Sequence, residues 1–185
     1  MQRIPEVLTG DELERLLAIP NPRYPTGKRN MALMGIMADC GLRISEALSL
    51  ESRDVDFTEG AVMVRQGKGG KDRQLWAGER TLECIKTWLE VRPDVDGPIF
   101  TTLKGDPLDG RYVRVMVKRL AAKAGIEKDV HPHVLRHTFG TDLFRKTKDI
   151  RLTQKMLGHS DLRSTMIYTH VVDDDAKCAM RGLRT

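Results

Sequence analysis

Only one stretch of this chain reads as β-structure, and that limits the fold more than any other feature. Ala61-Val62-Met63-Val64-Arg65-Gln66 has the composition of a strand, Gly67-Lys68-Gly69-Gly70-Lys71-Asp72 that of a tight tip, and Arg73-Gln74-Leu75-Trp76 that of a returning strand. A hairpin cannot close a barrel or form one layer of a sandwich, so the rest of the core must come from helices. The expected class is therefore mainly α with a small antiparallel β-sheet (α+β).

Helical signals flank the hairpin on both sides. Thr9 followed by Glu12 is a capping-box pattern and opens a helix with Leu13, Leu16 and Leu17 on one face. Pro20, Pro22 and Pro25 interrupt the chain. A second helix, Gly27 to Cys40, is rich in Met, Ala and Leu and reads as buried, with Gly41 as its C-terminal cap. A short helix is expected over Ser45 to Leu50. After the hairpin, helices are expected over Glu79 to Val91, Asp109 to Ala124, His133 to Lys146, Asp149 to Leu157 and Asp161 to Tyr168. A last one would start at Asp173-Asp174-Asp175, where carboxylates suit the positive end of a helix dipole. No internal repeat, low-complexity tract or long linker is evident, and 185 residues suit a single domain spanning 1–185.

Composition narrows the function classes. The chain is 40% hydrophobic and 31% charged, as globular proteins are, with a formal net charge of +5 that favours an acidic partner such as nucleic acid. Only 5% is aromatic, which argues against base stacking as the main mode of contact. Cys40, Cys84 and Cys178 are odd in number and widely spaced, so neither a disulfide framework nor a structural zinc site follows, and a reducing cytoplasm is the simplest compartment. The N-terminus lacks the apolar core of a signal peptide, and the run from Met31 to Leu42 is too short to span a bilayer.

Four local features could carry chemistry, and each has a plain structural alternative. Arg43 and Glu46, just past a buried helix, could be an i, i+3 surface ion pair. Lys68, between glycines at the hairpin tip, could approach a phosphate or simply be solvated; the Walker order is absent. His133 and Arg136 share a helix face, with His131 and His137 nearby. A zinc site there would need a further ligand and a base, and the H-E-x-x-H form is missing, so no metal or other cofactor is expected. Tyr168 lies nine residues after His159 and could be a packing residue at a helix end.

Taken in order, Arg43, Gly67-Lys68-Gly69, His133-x-x-Arg136, Leu157-Gly158-His159 and Ile167-Tyr168-Thr169-His170 resemble the tyrosine recombinases, the phage-integrase family, from about Leu8 to Val172. The resemblance implies the DNA breaking-rejoining catalytic fold and metal-independent strand cleavage through a 3′-phosphotyrosyl intermediate. It makes Tyr168 the nucleophile, Arg43 and Arg136 a clamp on the phosphate, His133 the base, His159 a phosphate donor and Lys68 the general acid, with Lys71 as the rival. Glu46 would orient neighbouring groups, Lys68 or a histidine on the base side. The chemistry suits the residue types: arginine presents a planar, permanently charged fork to growing phosphate charge, and a phenol with a pKa of about 10 needs help to ionise.

The implied partner is double-stranded DNA, with a homotetramer on paired sites in a full-length protein, a monomer for this chain alone, and a cytoplasmic, nucleoid-associated setting. The family's N-terminal clamp domain has no counterpart here, so weak, salt-sensitive contact with DNA is expected. Lys118, Arg119 and Lys123 could touch the DNA backbone or face water, with water the expectation, and the short segment from Asp173 to Thr185 could dock on a neighbouring protomer or be a frayed terminus. Type IB topoisomerase-like nicking and resealing, a catalytically silent DNA-binding relative, and a zinc hydrolase built on His131, His133 and His137 are the competing readings.

Overall fold

The computed structural model describes residues 5–65, 72–169 and 180. Seven helices and a two-stranded sheet have their ends set within these residues: α1 (Gly10–Ala18), α2 (Pro25–Cys40), α3 (Ile44–Leu48), β1 (Ala61–Val64), β2 (Arg73–Trp76), α4 (Glu79–Leu89), α5 (Gly110–Lys123), α6 (Pro132–Thr147) and α7 (Ile150–Leu157). Residues 163–169 are also helical and are labelled α8. The mainly helical architecture with one antiparallel hairpin is as expected.

The centre of the fold is α2. Its Met, Ala, Leu and Ile residues are buried around most of its circumference, and α4 and α6 pack against it. A helix apolar all round can only be an interior one. It starts at Pro25, two residues before the expected Gly27, because proline's fixed φ and missing N–H suit the first helical position. It stops at Gly41, whose φ of +57° only glycine adopts at little cost; a Cβ there would also lie 2.3 Å from Cδ1 of Phe139.

The first helix has the predicted capping box: Thr9 Oγ1 accepts from Glu12 N, and the Glu12 carboxylate accepts from Thr9 N. The hairpin pairs Ala61 with Trp76 and Val64 with Arg73. Val62, Val64, Arg73 and Leu75 face inward, while Gln74 and Trp76 face out. Its expected tip, with Lys68 and Lys71, lies outside the described residues, as do His170 and most of the C-terminal segment, including the helix expected at Asp173. A 3-10 turn over Ser52–Asp54 was not anticipated. Asp54 there is buried and bonds Nε of Arg65 at 2.5 Å, holding the base of the hairpin at the end of β1.

The last helices set the position of the site. Asp149 caps α7 by accepting from the amides of Arg151 and Leu152, and Gly158 (φ +63°) closes it. Asp161 accepts from Arg163 N at the start of α8, so that helix begins two residues later than expected. A small second core of Phe144, Leu157 and Tyr168, with Phe139, Ile150 and Ile167 around it, joins α6, α7 and α8. Among the described residues no helix is long and apolar enough to cross a membrane.

Candidate active site

The last carbonyls of a helix have no partner within it and form the negative end of its dipole. At the end of α7, three consecutive carbonyls each accept from a different arginine. Met156 O takes Nε of Arg73 at 2.9 Å, Leu157 O takes Nη2 of Arg136 at 2.5 Å, and Gly158 O takes Nη2 of Arg43 at 3.1 Å. Arg136 also donates to Gly41 O at 2.6 Å, so the C-cap of α2 and the last residue of α7 hold one guanidinium between them.

Glu46 is the acid that these cations share. Its carboxylate receives both Nη groups of Arg73, at 3.0 and 2.8 Å, as well as Nη1 and the backbone N–H of Arg43, each at 2.8 Å. Nη1 of Arg136 stands 4.0 Å away. The i, i+3 pair expected from sequence is present, but only its arginine reaches toward solvent: the Arg43 side chain is 23% exposed, whereas Glu46, Arg73 and Arg136 are buried. Burial opposes ionisation of the Glu46 carboxyl, yet the bonds from Arg73 and Arg43 outweigh it and bring its pKa down to about 2. Burial, with Arg43 close by, lowers Arg136 to about 10, which still leaves it charged at neutral pH. Among the described residues, the groups that meet the Glu46 carboxylate are the arginines Arg43, Arg73 and Arg136; Lys68 lies outside the described residues.

Arg73 did not stand out in the sequence. Its signal was positional: it occupies an inward-facing place in the two-residue alternation of β2, one pleat from the buried Leu75. Gly158 fits closely beside it, since a Cβ there would lie 3.0 Å from Nη1 of Arg73 and 3.2 Å from its Cζ.

The histidines divide into two settings. His133 is exposed on the first turn of α6, its ring 6.0 Å from that of His131 in an edge arrangement. Partial burial, then His131, Arg136, Arg114 and Arg43, all lower its pKa, so it stays neutral and able to accept a proton. His159 is half-buried, with Nδ1 at 2.9 Å from Oγ1 of Thr165 in α8. His137, one turn along α6 from His133, has Nδ1 at 3.2 Å from the Tyr168 hydroxyl. Burial and nearby cationic groups lower both His159 and His137 to about 4. Among the described residues no group of three or more His, Cys, Asp or Glu side chains could hold a metal ion.

Tyr168 is fully buried. Its ring lies over Gly140, where a Cβ would come within 2.6 Å of Cζ and 2.9 Å of Oη. Burial raises the phenol to about 12, and Arg136 offsets only part of this. Arg43, Glu46, Arg136 and His159 thus gather around one helix end, with Tyr168 within electrostatic reach of Arg136 and His133 at the rim. Lys118 is exposed and pairs with Asp129 at 2.8 Å, and Arg119 and Lys123 are also exposed.

Residues 6–175 match the phage integrase family. The chain is 38% identical over 171 residues to the tyrosine recombinase XerC of Xanthomonas axonopodis pv. citri (strain 306), covering 92% of this chain and 55% of that protein. It is 38% identical over 176 residues to the tyrosine recombinase XerD of Staphylococcus saprophyticus subsp. saprophyticus, covering 92% and 59%. The chain therefore spans less than two thirds of the length of these relatives. Among solved structures, XerA recombinase superposes with a TM-score of 0.84 at 34% identity, covering 100% of this chain and 66% of that one. XerH site-specific recombinase bound to palindromic difH substrate, in a post-cleavage complex, gives 0.83 at 30% identity, covering 99% and 54%.

Proposed function

Because this chain belongs to the phage integrase family, the tyrosine recombinases, we propose that it is the catalytic domain of a site-specific DNA recombinase. The observation that carries the reading is the convergence of Arg43 and Arg136 on the end of α7, with Glu46 between them and His159 beside them. Two guanidinium groups held on carbonyl oxygens are preorganised cations. A phosphodiester entering the site would meet charge already in place, which is how charge developing in a transition state is stabilised without a metal ion.

In the reaction proposed, the Tyr168 oxygen attacks phosphorus and the bond to the 5′-oxygen breaks. The enzyme is left joined to the 3′-phosphate and a 5′-hydroxyl is released. The phenol's proton goes to His133, which stays neutral at neutral pH. The leaving 5′-oxygen takes a proton from Lys68, with Lys71 as the rival donor. Attack by a second 5′-hydroxyl on the phosphotyrosine then rejoins the strand, so the phosphodiester energy is kept and no ATP is used. Arg43, Arg136 and His159 hold the nonbridging oxygens. The partner is double-stranded DNA, held chiefly through its phosphates. A protein carrying this domain would act as a homotetramer on paired sites in the cytoplasm, on the nucleoid, with the domain by itself expected to be a monomer.

With Tyr168 fully buried, the arrangement described is a resting one. The ring must leave its place over Gly140 before its oxygen can meet a phosphate. Mixing the protein at low salt with duplex DNA nicked near the scissile position tests the reading, because loss of the short cleaved strand traps any covalent intermediate. A denaturation-resistant adduct with wild type and none with Tyr168→Phe is the expected result. DNA binding without an adduct would favour a silent binding relative, and relaxation of supercoiled DNA without strand exchange would favour topoisomerase-like action.

A further inference from the structure

Two arginines at the end of α7 have a role in the proposed reaction, and the third has none. Arg73 is as buried as Glu46, makes both of its Nη bonds to that carboxylate, and uses Nε on Met156 O. Each of its three side-chain nitrogens therefore donates within the site. It begins β2, the strand that returns from the hairpin tip, so it joins three parts of the fold: the hairpin, the end of α7, and the helix α3 that carries Glu46.

We propose that Arg73 is a positioning residue for strand cleavage, holding Glu46 and the end of α7 so that Arg43 and Arg136 are aimed at the scissile phosphate; this rests on the recombinase reading above. Glu46 has one carboxylate to share. Arg73 binds it in bidentate fashion from one side, which fixes its plane and leaves Oε1 for Nη1 of Arg43 and Oε2 for the Arg43 backbone N–H. Without Arg73, Glu46 is free to turn toward Arg136, now 4.0 Å away, and to neutralise a cation that the phosphate needs. The Met156 carbonyl would lose its donor next to the Leu157 and Gly158 carbonyls that seat Arg136 and Arg43.

The test measures single-turnover adduct formation at saturating DNA for wild type, Arg73→Lys, Arg73→Met and Glu46→Gln, with thermal melting and DNA binding recorded alongside. Arg73→Met should bind DNA like wild type and form the adduct about a hundredfold more slowly, the usual scale for a reacting group displaced by about an ångström. Arg73→Lys should recover part of the rate, because it keeps the charge but not the fork. Combining Arg73→Met with Glu46→Gln should slow the reaction little more than the slower single variant, as groups acting as one unit do.

A second substrate separates positioning from general weakening of the fold. With a neutral methylphosphonate at the scissile position, less negative charge has to be met, so the ratio of wild-type to Arg73→Met rates should shrink. Equal slowing on both substrates, an unchanged rate in a folded Arg73 variant, or effects that multiply in the double variant would overturn the proposal. If Arg73→Met fails to fold, Arg73→Lys and Glu46→Met/Arg73→Met, which removes both buried charges together, undergo the same comparison. An absent adduct with wild type would instead count against the recombinase reading itself.

Discussion

The Tyr168 hydroxyl meets Nδ1 of His137 at 3.2 Å, over the place where Gly140 leaves room for the ring. A neutral imidazole can accept from a phenol, and His137, lowered to about 4, is neutral across the physiological range. Between that pKa and the phenol's, near 12, the proton stays on oxygen. The contact therefore holds Tyr168 in its buried place and does not activate it.

Gly140→Ala should dislodge the ring. The added Cβ would fall 2.6 Å from Tyr168 Cζ, and Gly140 itself is among the buried residues of α6. Overpacking of this kind costs about 1–3 kcal/mol, read as a lowered melting temperature. Nitration by tetranitromethane, located by mass spectrometry, should be absent at Tyr168 in wild type and present in Gly140→Ala. A Tyr168 equally protected in both proteins would show that the ring has another way to fit.

Acid should weaken the fold in two successive windows. The folded-state pKa values of His137 and His159 lie near 4, below the ordinary 6.5, so the unfolded chain takes up protons first as pH falls. Stability from these groups is complete above 6.5 and is lost between 6.5 and 4. Glu46, at about 2 against an ordinary 4.5, adds a loss between 4.5 and 2. Melting temperatures taken from pH 8 to 3 should fall in that order, and His137→Gln should flatten the first part. A melting temperature constant from pH 7 to 4 would show that the histidines do not titrate as described.

For His133 in its proposed role as base, the same depression bears on the pH dependence of activity. A base at His133 with its pKa held below 6.5 by burial and by nearby cations remains deprotonated in mild acid. The acid limb of the adduct-formation rate should therefore lie below pH 6.5. Removing a contributing cation by Arg114→Gln should move that limb toward higher pH.

Much of this was legible in the sequence because it depends on local chemistry. The Thr9–Glu12 capping box, the apolar circumference of α2 ending at Gly41, and the period-two pattern of Arg73–Trp76 are each decided within a few residues. The Arg43–Glu46 spacing also gave the right pair, but burial, which makes it matter, comes from elements far along the chain. Arg73 was missed because a buried arginine in a strand can be recognised only from what it meets: Glu46 is 27 residues before it and Met156 is 83 after it. His137 was weighed as a metal ligand because its i, i+4 spacing from His133 is visible in sequence, whereas Tyr168, 31 residues away, is not.

Arg136→Lys tests whether the fork matters or only the charge. Arg136 reaches Gly41 O with one Nη and Leu157 O with the other, spanning the C-terminal ends of two helices. Lysine has one ammonium and cannot make both bonds while presenting donors to a phosphate. One carbonyl would be left buried without a donor, at about 1–3 kcal/mol. With Arg136 in its proposed role on the phosphate, the loss of an aimed donor should slow adduct formation by about 10²- to 10³-fold, as removing a single oxyanion donor does. Charge at the site is unchanged, so DNA affinity and its salt dependence should stay close to wild type. An Arg136→Lys variant that cleaved at the wild-type rate would mean that the cation alone suffices and that the two carbonyl bonds serve only to pack α6 against α2 and α7.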